Sequence, residues 1–181
     1  MLTTDLIERC KAQDRQAQLQ LYNKYCDGMY FVAYRFLKNT FEAEEAMQEG
    51  FINAFTKLSQ FTGEVTFGAW LKRIVINKSL DILKAKKMNT IALNEQVVTT
   101  VEEQEQWEVD DETTLQEVKR EIEALPERYR YPIMLYLMEG YDHQEIAEIL
   151  EISEVSSRTL VHRGKKKLQE QLKHLRHGTG S

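Results

Sequence analysis

Two segments of this 181-residue chain concentrate the cationic side chains that bind phosphate groups. Residues 72–87 hold six Lys or Arg and one acid, a local charge of +5, and residues 158–177 hold seven and one acid, a charge of +6. Between them, residues 88–118 contain nine acids and no Lys or Arg, a charge of −9. The overall charge of −5 hides this alternation. It predicts two separate contacts with a polyanion such as DNA.

Residues that could support catalysis or metal binding are sparse. His174 and His177 are spaced to share one helix face, but no third ligand lies near them in the sequence. Cys10 and Cys26 lack the spacing of a metal-binding or redox pair and are expected to be small core residues in a reducing cytosol. No nucleophile with a base and no glycine-rich phosphate loop is visible. The sequence therefore predicts a protein that is not an enzyme and needs no cofactor, metal or small-molecule ligand.

The elements that must position the cationic side chains are helices. Apolar residues recur every three or four positions through residues 2–83, and two prolines and eight glycines leave little punctuation for strands. The breaks at residues 38–40 and 62–63 divide this part into four helices, and Asn39 or Thr40 is the expected cap of the third. We predict an all-α protein with an N-terminal domain at residues 1–88.

An acidic linker is predicted at residues 89–112, followed by a C-terminal domain at residues 113–176. The linker has weak periodicity and few apolar anchors, among them Trp107. Its acids either keep it solvated or shield the basic helices from premature contact with DNA. Both interpretations remain open at this point.

The C-terminal domain carries the pattern of a helix-turn-helix motif. Asp142 and Glu145 form a capping box that starts a short helix, and Ser153 can cap a longer basic helix after a three-residue turn. Upstream, Pro132 is expected in the first turn of a helix that ends at Gly140. On the long helix, Val161, Gly164, Leu168 and Leu172 share the face predicted to be buried. The residues predicted to contact DNA are Ser156, Arg158, Thr159, His162, Arg163, Lys166 and Lys167.

The basic helix of the N-terminal domain mixes cations with aromatic residues between residues 67 and 87. Trp70 is either a core residue or a platform on which a base stacks. The residues predicted to contact DNA here are Lys72, Arg73, Asn77, Lys84, Lys86 and Lys87.

In their order and spacing, these motifs resemble the extracytoplasmic-function type of bacterial sigma factor, the promoter-specificity subunit of RNA polymerase. Residues 41–51 resemble the family's acidic segment that docks on the polymerase. Residues 67–84 resemble the helix that reads the minus-ten element. Residues 125–147 resemble the domain that reads the minus-thirty-five element. The resemblance implies capture of single-stranded bases by the loop at residues 61–67. It also implies a polymerase-binding face made of Glu42, Glu44, Glu45, Gln48 and Glu49.

The chain departs from the family's pattern at three places. Glu151 stands in the turn where the family commonly has Gly, and Val155-Ser156-Ser157 stands in place of Gly-Thr-Val. Lys84 replaces a common arginine, which keeps the charge but loses the bidentate fork.

The resemblance further implies core RNA polymerase and promoter DNA as partners, with an anti-sigma factor at the inner membrane as a third. No run of about 18 apolar residues and no signal peptide is visible, so a cytoplasmic protein without membrane insertion is expected. The alternative is a helix-turn-helix regulator that binds an operator without polymerase. A structural helical adaptor is a further alternative, which charge reversal at Lys166 and Lys167 would leave functional.

Overall fold

The computed structural model describes residues 3–88 and 114–177, and all regular structure in these two ranges is helical, which confirms the all-α prediction. The chain divides into two compact units, Met1–Asn94 and Glu95–Ser181. The predicted linker, with Trp107 and both interpretations of its charge, lies outside the described residues. Within the described ranges, no helix is both long enough and apolar enough to span a lipid bilayer.

Between residues 3 and 88, four helices and one short 3₁₀ turn build the first unit. They are α1 (Thr3–Lys11), α2 (Arg15–Leu37), α3 (Thr40–Thr56), the 3₁₀ turn Leu58–Gln60, and α4 (Phe67–Met88). Asp14 caps α2 by accepting from two backbone N–H groups, and Asn39 caps α3 by accepting from the N–H of Glu42 at 3.0 Å. The caps satisfy donors that a helix start leaves without an intrahelical partner.

The core of the first unit lies where α2, α3 and α4 pack on one another. Leu21, Phe36, Leu71 and Ile76 are buried there. Gly50 marks the closest approach of α3 to α4, since a Cβ atom at this position would lie 2.6 Å from Cγ2 of Val75. The small residue lets the two helices that carry the acidic and basic side chains meet closely.

The second unit packs shorter helices against one long helix. Its elements are α5 (Leu115–Ala124), α6 (Glu127–Ile133), a π-helical turn (Met134–Met138), α7 (His143–Leu150) and α8 (Glu154–His177). Helices α5, α6 and α7 all contact α8. The capping box of Asp142 with Glu145 is present, and the Ser153 hydroxyl accepts from the Ser156 N–H at 3.1 Å. The predicted helix-turn-helix is therefore formed by α7 and α8.

The position predicted for Pro132 was wrong. Pro126 occupies the N-cap of α6, so Pro132 falls in the second turn of that helix and not in its first. A proline supplies no N–H to the carbonyl four residues earlier, which disturbs the regular ladder. The helix continues as the π turn, in which the Glu139 N–H donates to the Met134 carbonyl five residues back at 3.1 Å. Gly140, at φ +76°, ends it as predicted.

Candidate nucleic-acid and protein interfaces

One face of α4 presents a polar and aromatic stripe. Trp70, Arg73, Asn77 and Lys84 follow one another at spacings of three, four and seven residues, which places them on one side of a helix. Asn77 is exposed and the other three are half-buried, whereas Leu71 and Val75 on the inner side are fully buried. We call this set the α4 stripe. It unites three of the six residues predicted to contact DNA in this domain.

The remaining three predicted cations of α4 lie off this stripe. Lys86 points toward α3, where it forms an ion pair with Glu42. Lys72 and Lys87 are half-buried outside the stripe. Another cation of α4, Lys78, forms a second ion pair, with Glu49 of α3. Part of the basic charge of α4 is therefore used inside the unit, to hold α3.

The five residues predicted to bind polymerase also divide into residues that form ion pairs inside the unit and residues that face solvent. Glu42 and Glu49 turn toward the α4 cations, while Glu44, Glu45 and Gln48 are exposed on the outer face of α3. Sequence reasoning missed two apolar neighbours on that outer face, Phe41 at 75% and Ile52 at 64% exposure. Phe41 lies seven residues before Gln48 and Ile52 lies four residues after it, so the three share one helix face. This spacing could have identified both apolar residues from the sequence. We call these five outward residues the α3 outer face.

The loop predicted to capture single-stranded bases borders a groove of about 580 Å³. The groove is lined by residues of α1 and α2, among them Ile7 and Tyr25, and by the whole of 61–67. The ring of Trp70 lies 5.3 Å from that of Phe61 and 5.8 Å from that of Phe67, and Trp70 is half-buried. Trp70 therefore packs in an aromatic cluster while part of it faces solvent.

In the second unit, most of the predicted DNA-contacting residues of α8 are accessible. Arg158, Lys166 and Lys167 are exposed, with Arg158 in an ion pair with Glu154 one turn earlier. The half-buried members of the set are Ser156, His162 and Arg163.

The prediction that Thr159 lies on the exposed face was wrong. Its exposure is 4%, and its hydroxyl donates to the Val155 carbonyl at 3.0 Å. A threonine in a helix can satisfy its hydroxyl in this way, one turn back along its own backbone. Thr159 is therefore removed from the residues available to DNA.

A polar contact takes the place of the buried valine that the resemblance led us to expect at Ser157. Ser157 is fully buried, and its Oγ lies 3.2 Å from Nδ1 of His143 in the first turn of α7. The imidazole stacks on Tyr136 with centroids 5.0 Å apart, and Lys165 Nζ lies 4.4 Å from the Tyr136 centroid. Burial lowers the pKa of His143, and nearby Arg158 and Lys165 lower it further. The imidazole thus joins the two helices of the motif.

The turn between α7 and α8 contains a residue in a left-handed conformation. Glu151 is the C-cap of α7 at φ +56° and ψ +45°, and its N–H donates to the Ala147 carbonyl. This conformation explains why the family commonly has glycine here, because a Cβ atom makes the left-handed region costly.

The histidine pair near the C-terminus lies at the edge of the described residues. His174 is exposed, and the side chain of His177 lies outside the described set. Among the residues that are described, no group of three or more His, Cys, Asp or Glu side chains is arranged to hold a metal ion. Of the two cysteines, Cys10 is buried as expected for a core residue and Cys26 is half-buried.

Comparison with known proteins matches both units to regions of one family. Residues 21–88 match Sigma-70 region 2, and residues 115–168 match Sigma-70 region 4. The extracytoplasmic-function sigma factor SigW of Bacillus subtilis is 30% identical over 97% of this chain and 99% of its own length. The sigma-H factor of Pseudomonas aeruginosa is 26% identical over 94% of this chain and 93% of its own.

Two solved structures share the fold. The structure of CnrH in complex with the cytosolic domain of CnrY has a TM-score of 0.56 at 21% identity, and covers 93% of this chain and 96% of its own. The structure of RpoE in complex with the anti-sigma factor NepR, from Bartonella quintana, has a TM-score of 0.55 at 21% identity. It covers 85% of this chain and 95% of its own.

Proposed function

Because this chain belongs to the extracytoplasmic-function sigma factors of the sigma-70 family, it directs RNA polymerase to promoters, and we propose which of its surfaces perform each part of that task. We assign polymerase and minus-ten binding to residues 1–88 and minus-thirty-five binding to residues 113–176, joined by a linker at residues 89–112. The family match favours this function over a polymerase-independent operator-binding regulator.

The α3 outer face is the proposed polymerase contact. Exposed Glu44 and Glu45 give it negative charge, and exposed Phe41 and Ile52 give it an apolar surface that water solvates poorly. An apolar centre flanked by charge suits a basic protein surface, since charge complementarity steers encounter and apolar burial supplies affinity. Glu42 and Glu49 act indirectly, by holding α4 against α3. This arrangement of the α3 outer face is the observation that carries the proposal.

The α4 stripe and the groove beside the loop at residues 61–67 are the proposed minus-ten contacts. Arg73 and Lys84 supply charge for the DNA backbone, and Asn77 supplies an amide for a base edge. Phe61 and Phe67 line the groove in which an unstacked base can be held, and Trp70 packs against both of these rings. Opening the duplex costs a few kcal/mol per flipped base, which stacking and backbone contacts offset.

Helix α8 is the proposed reader of the minus-thirty-five element. Arg158 near its N-terminus can reach base edges in the major groove, whereas Lys166 and Lys167 two turns later suit phosphates. No bond is made or broken by these contacts, so the proposed role requires no catalytic group. The proposed place of action is the cytoplasm, where the core polymerase is found.

An anti-sigma factor is a further proposed partner. Membership of the family supports it, and the RpoE structure with the same fold is a complex with an anti-sigma factor. We place this partner at the inner membrane.

The proposal is tested by adding the full chain to core RNA polymerase and mapping run-off transcripts on genomic fragments. We expect new, discrete start sites that core enzyme alone does not give.

The double variant Glu45→Lys with Gln48→Ala should weaken co-purification with core, whereas Glu123→Lys, an exposed acid of α5, should not. Arg163→Ala should lower promoter-dependent transcription and leave co-purification unchanged. Absence of promoter selectivity in the wild-type chain would refute the proposal.

A further inference from the structure

A titratable side chain lies in the contact between the two helices of the helix-turn-helix. His143 is half-buried in the first turn of α7, and its Nδ1 atom lies 3.2 Å from Oγ of the fully buried Ser157 of α8. Its ring stacks on Tyr136 at 5.0 Å, and the ammonium group of Lys165 lies 4.4 Å from the centroid of the same Tyr136 ring. Because an imidazole changes its charge near neutral pH, this contact can respond to the pH of the surroundings.

The charged groups that face His143 come from both helices of the motif. Arg158 and Lys165 of α8 are cations, whereas Glu154 of α8 and Asp142 of α7 are acids. Burial lowers the pKa of His143 most, the two cations lower it further, and the two acids raise it by less. In the free protein, the cationic side chains of α8 therefore oppose the charged form of the imidazole.

Protonation of the imidazole does not require its contact with α8 to break. In the neutral ring, Nδ1 either accepts from the Ser157 hydroxyl or donates to it, and in the charged ring both nitrogens donate. The hydroxyl oxygen of Ser157 can accept from the charged ring, so the hydrogen bond is compatible with both charge states of His143. What disfavours the charged state is burial together with the neighbouring cations, and a ligand of α8 can change the effect of the cations.

DNA is a ligand that would offset these cations. Arg158 is exposed and belongs to the proposed contacts of α8, and Lys165 directly precedes Lys166 and Lys167, the proposed phosphate contacts. A bound phosphate offsets the positive charge of the side chains beside it, and salt screens charges that are partly buried only weakly. The charged imidazole is therefore opposed less in the DNA complex than in the free protein, and the pKa of His143 is higher in the complex.

We propose that His143 takes up a proton when the second unit binds the minus-thirty-five element, so that this binding strengthens as the pH falls. The proposal rests on the assignment of the minus-thirty-five element to α8 under the proposed function. A ligand that raises the affinity of a site for a proton binds the protonated form more tightly by the same factor. The DNA complex holds more protons than the free chain between the two pKa values of His143. DNA affinity therefore rises as the pH falls through this window and is constant below the pKa of the free chain.

The test uses holoenzyme, formed from core polymerase and the full chain, on a promoter that the run-off experiment identifies. One DNA contains the minus-thirty-five element and a second DNA ends just downstream of it. The ratio of the two affinities isolates the contact made by the second unit, and it is measured between about pH 6 and 7.5, around the ordinary histidine pKa. We expect the ratio to rise about 3-fold toward the acidic end, within the 10-fold per pH unit that one proton allows.

Three variants assign the pH dependence to its source. His143→Asn keeps a polar group near Ser157 but cannot titrate, so its affinity ratio should not change with pH. His162→Asn is the matched control, because His162 is a half-buried histidine of α8 that the proposal does not use, and it should keep the 3-fold rise. Lys165→Gln removes one of the cations that DNA offsets, so it should reduce the rise without abolishing it.

The proposal is overturned if the wild-type ratio falls or stays constant on acidification, or if His143→Asn retains the rise. It is also overturned if His162→Asn abolishes the rise or if Lys165→Gln leaves it undiminished. A wild-type ratio of one at every pH would mean that the second unit does not bind the minus-thirty-five element, and the proposed function would fail first. A ratio above one that is independent of pH would refute proton uptake alone.

Discussion

The imidazole of His143 and the hydroxyl of Ser157 meet at 3.2 Å between the first turn of α7 and the buried face of α8. This contact places a polar pair where the resemblance led us to expect a valine in the core of the helix-turn-helix. A buried polar group costs free energy when it lacks a partner, and here each group has the other. The orientation of α8 relative to α7 therefore depends on a hydrogen bond as well as on apolar packing.

Ser157→Ala should destabilise the second unit by about 1 kcal/mol, because Nδ1 of His143 loses its partner in a partly buried site. Urea denaturation of the full chain, followed by amide exchange in α7 and α8, measures the change. Ser153→Ala provides a comparison at an exposed cap, where the loss is expected in the first turn of α8 alone. Equal protection of α7 in wild type and Ser157→Ala would contradict the prediction.

The stability of the second unit should fall as the solution is acidified below the usual histidine pKa of about 6.5. The folded-state pKa of His143 is lowered, first by burial and then by Arg158 and Lys165. Between the folded and unfolded pKa values the unfolded chain binds the extra proton, so stability rises with pH across this window and the loss is complete below the folded pKa. Titration of the His143 ring by NMR in the full chain should give a midpoint below 6.5.

The control for this pH dependence is His143→Asn, which removes the titrating ring and leaves the other ionisable groups of the chain in place. Thermal unfolding of the two proteins between pH 5 and 8 should show a steeper loss for wild type at the acidic end. Parallel pH profiles would contradict the assignment of this dependence to His143.

Glu151→Gly should stabilise the protein by about 1 kcal/mol, because glycine adopts the left-handed region without the cost of a Cβ atom. Gly140→Ala makes the opposite change, because it adds a Cβ atom to a residue in the left-handed conformation. Gly140 has φ +76° and a Cβ atom there would meet nothing within 4 Å, so the substitution tests backbone conformation alone. It should destabilise by about the same amount. Changes of the same sign in the two variants, measured by thermal unfolding, would be inconsistent with this explanation.

Gly50→Ala should destabilise the first unit by about 1–3 kcal/mol, although alanine is the better helix former. The new Cβ atom would lie 2.6 Å from Val75 Cγ2 and 3.5 Å from Val75 Cα, so a stiff side chain close to its backbone must move. The double variant with Val75→Ala removes the clashing methyl groups. Denaturant unfolding should therefore show that the two substitutions cost less together than the sum of their separate costs. Simple additivity would argue against the close contact.

The sequence was sufficient to predict the helical architecture. The apolar spacing and the helix caps are features of one or two turns of chain, so no tertiary information is needed to recognise them. The caps include Asn39, Asp142 and Ser153. The same holds for the helix-turn-helix, whose capping box and turn are local. Pro132 was misplaced because both of its possible helix positions are locally allowed, and the N-cap at Pro126 decided between them.

The division of the charged residues between solvent and the protein interior was decided by the tertiary structure alone. Glu45 and Glu49 are indistinguishable as acids on one amphipathic helix, yet of these two described residues only Glu49 forms an ion pair with a lysine of α4. Whether a charge pairs within the unit or faces a partner depends on which helix packs beside it, and that depends on contacts between residues some thirty positions or more apart. For the same reason the sequence pointed to two basic helices, but only the packing of α4 on α3 separates the α4 stripe from the lysines that pair with Glu42 and Glu49.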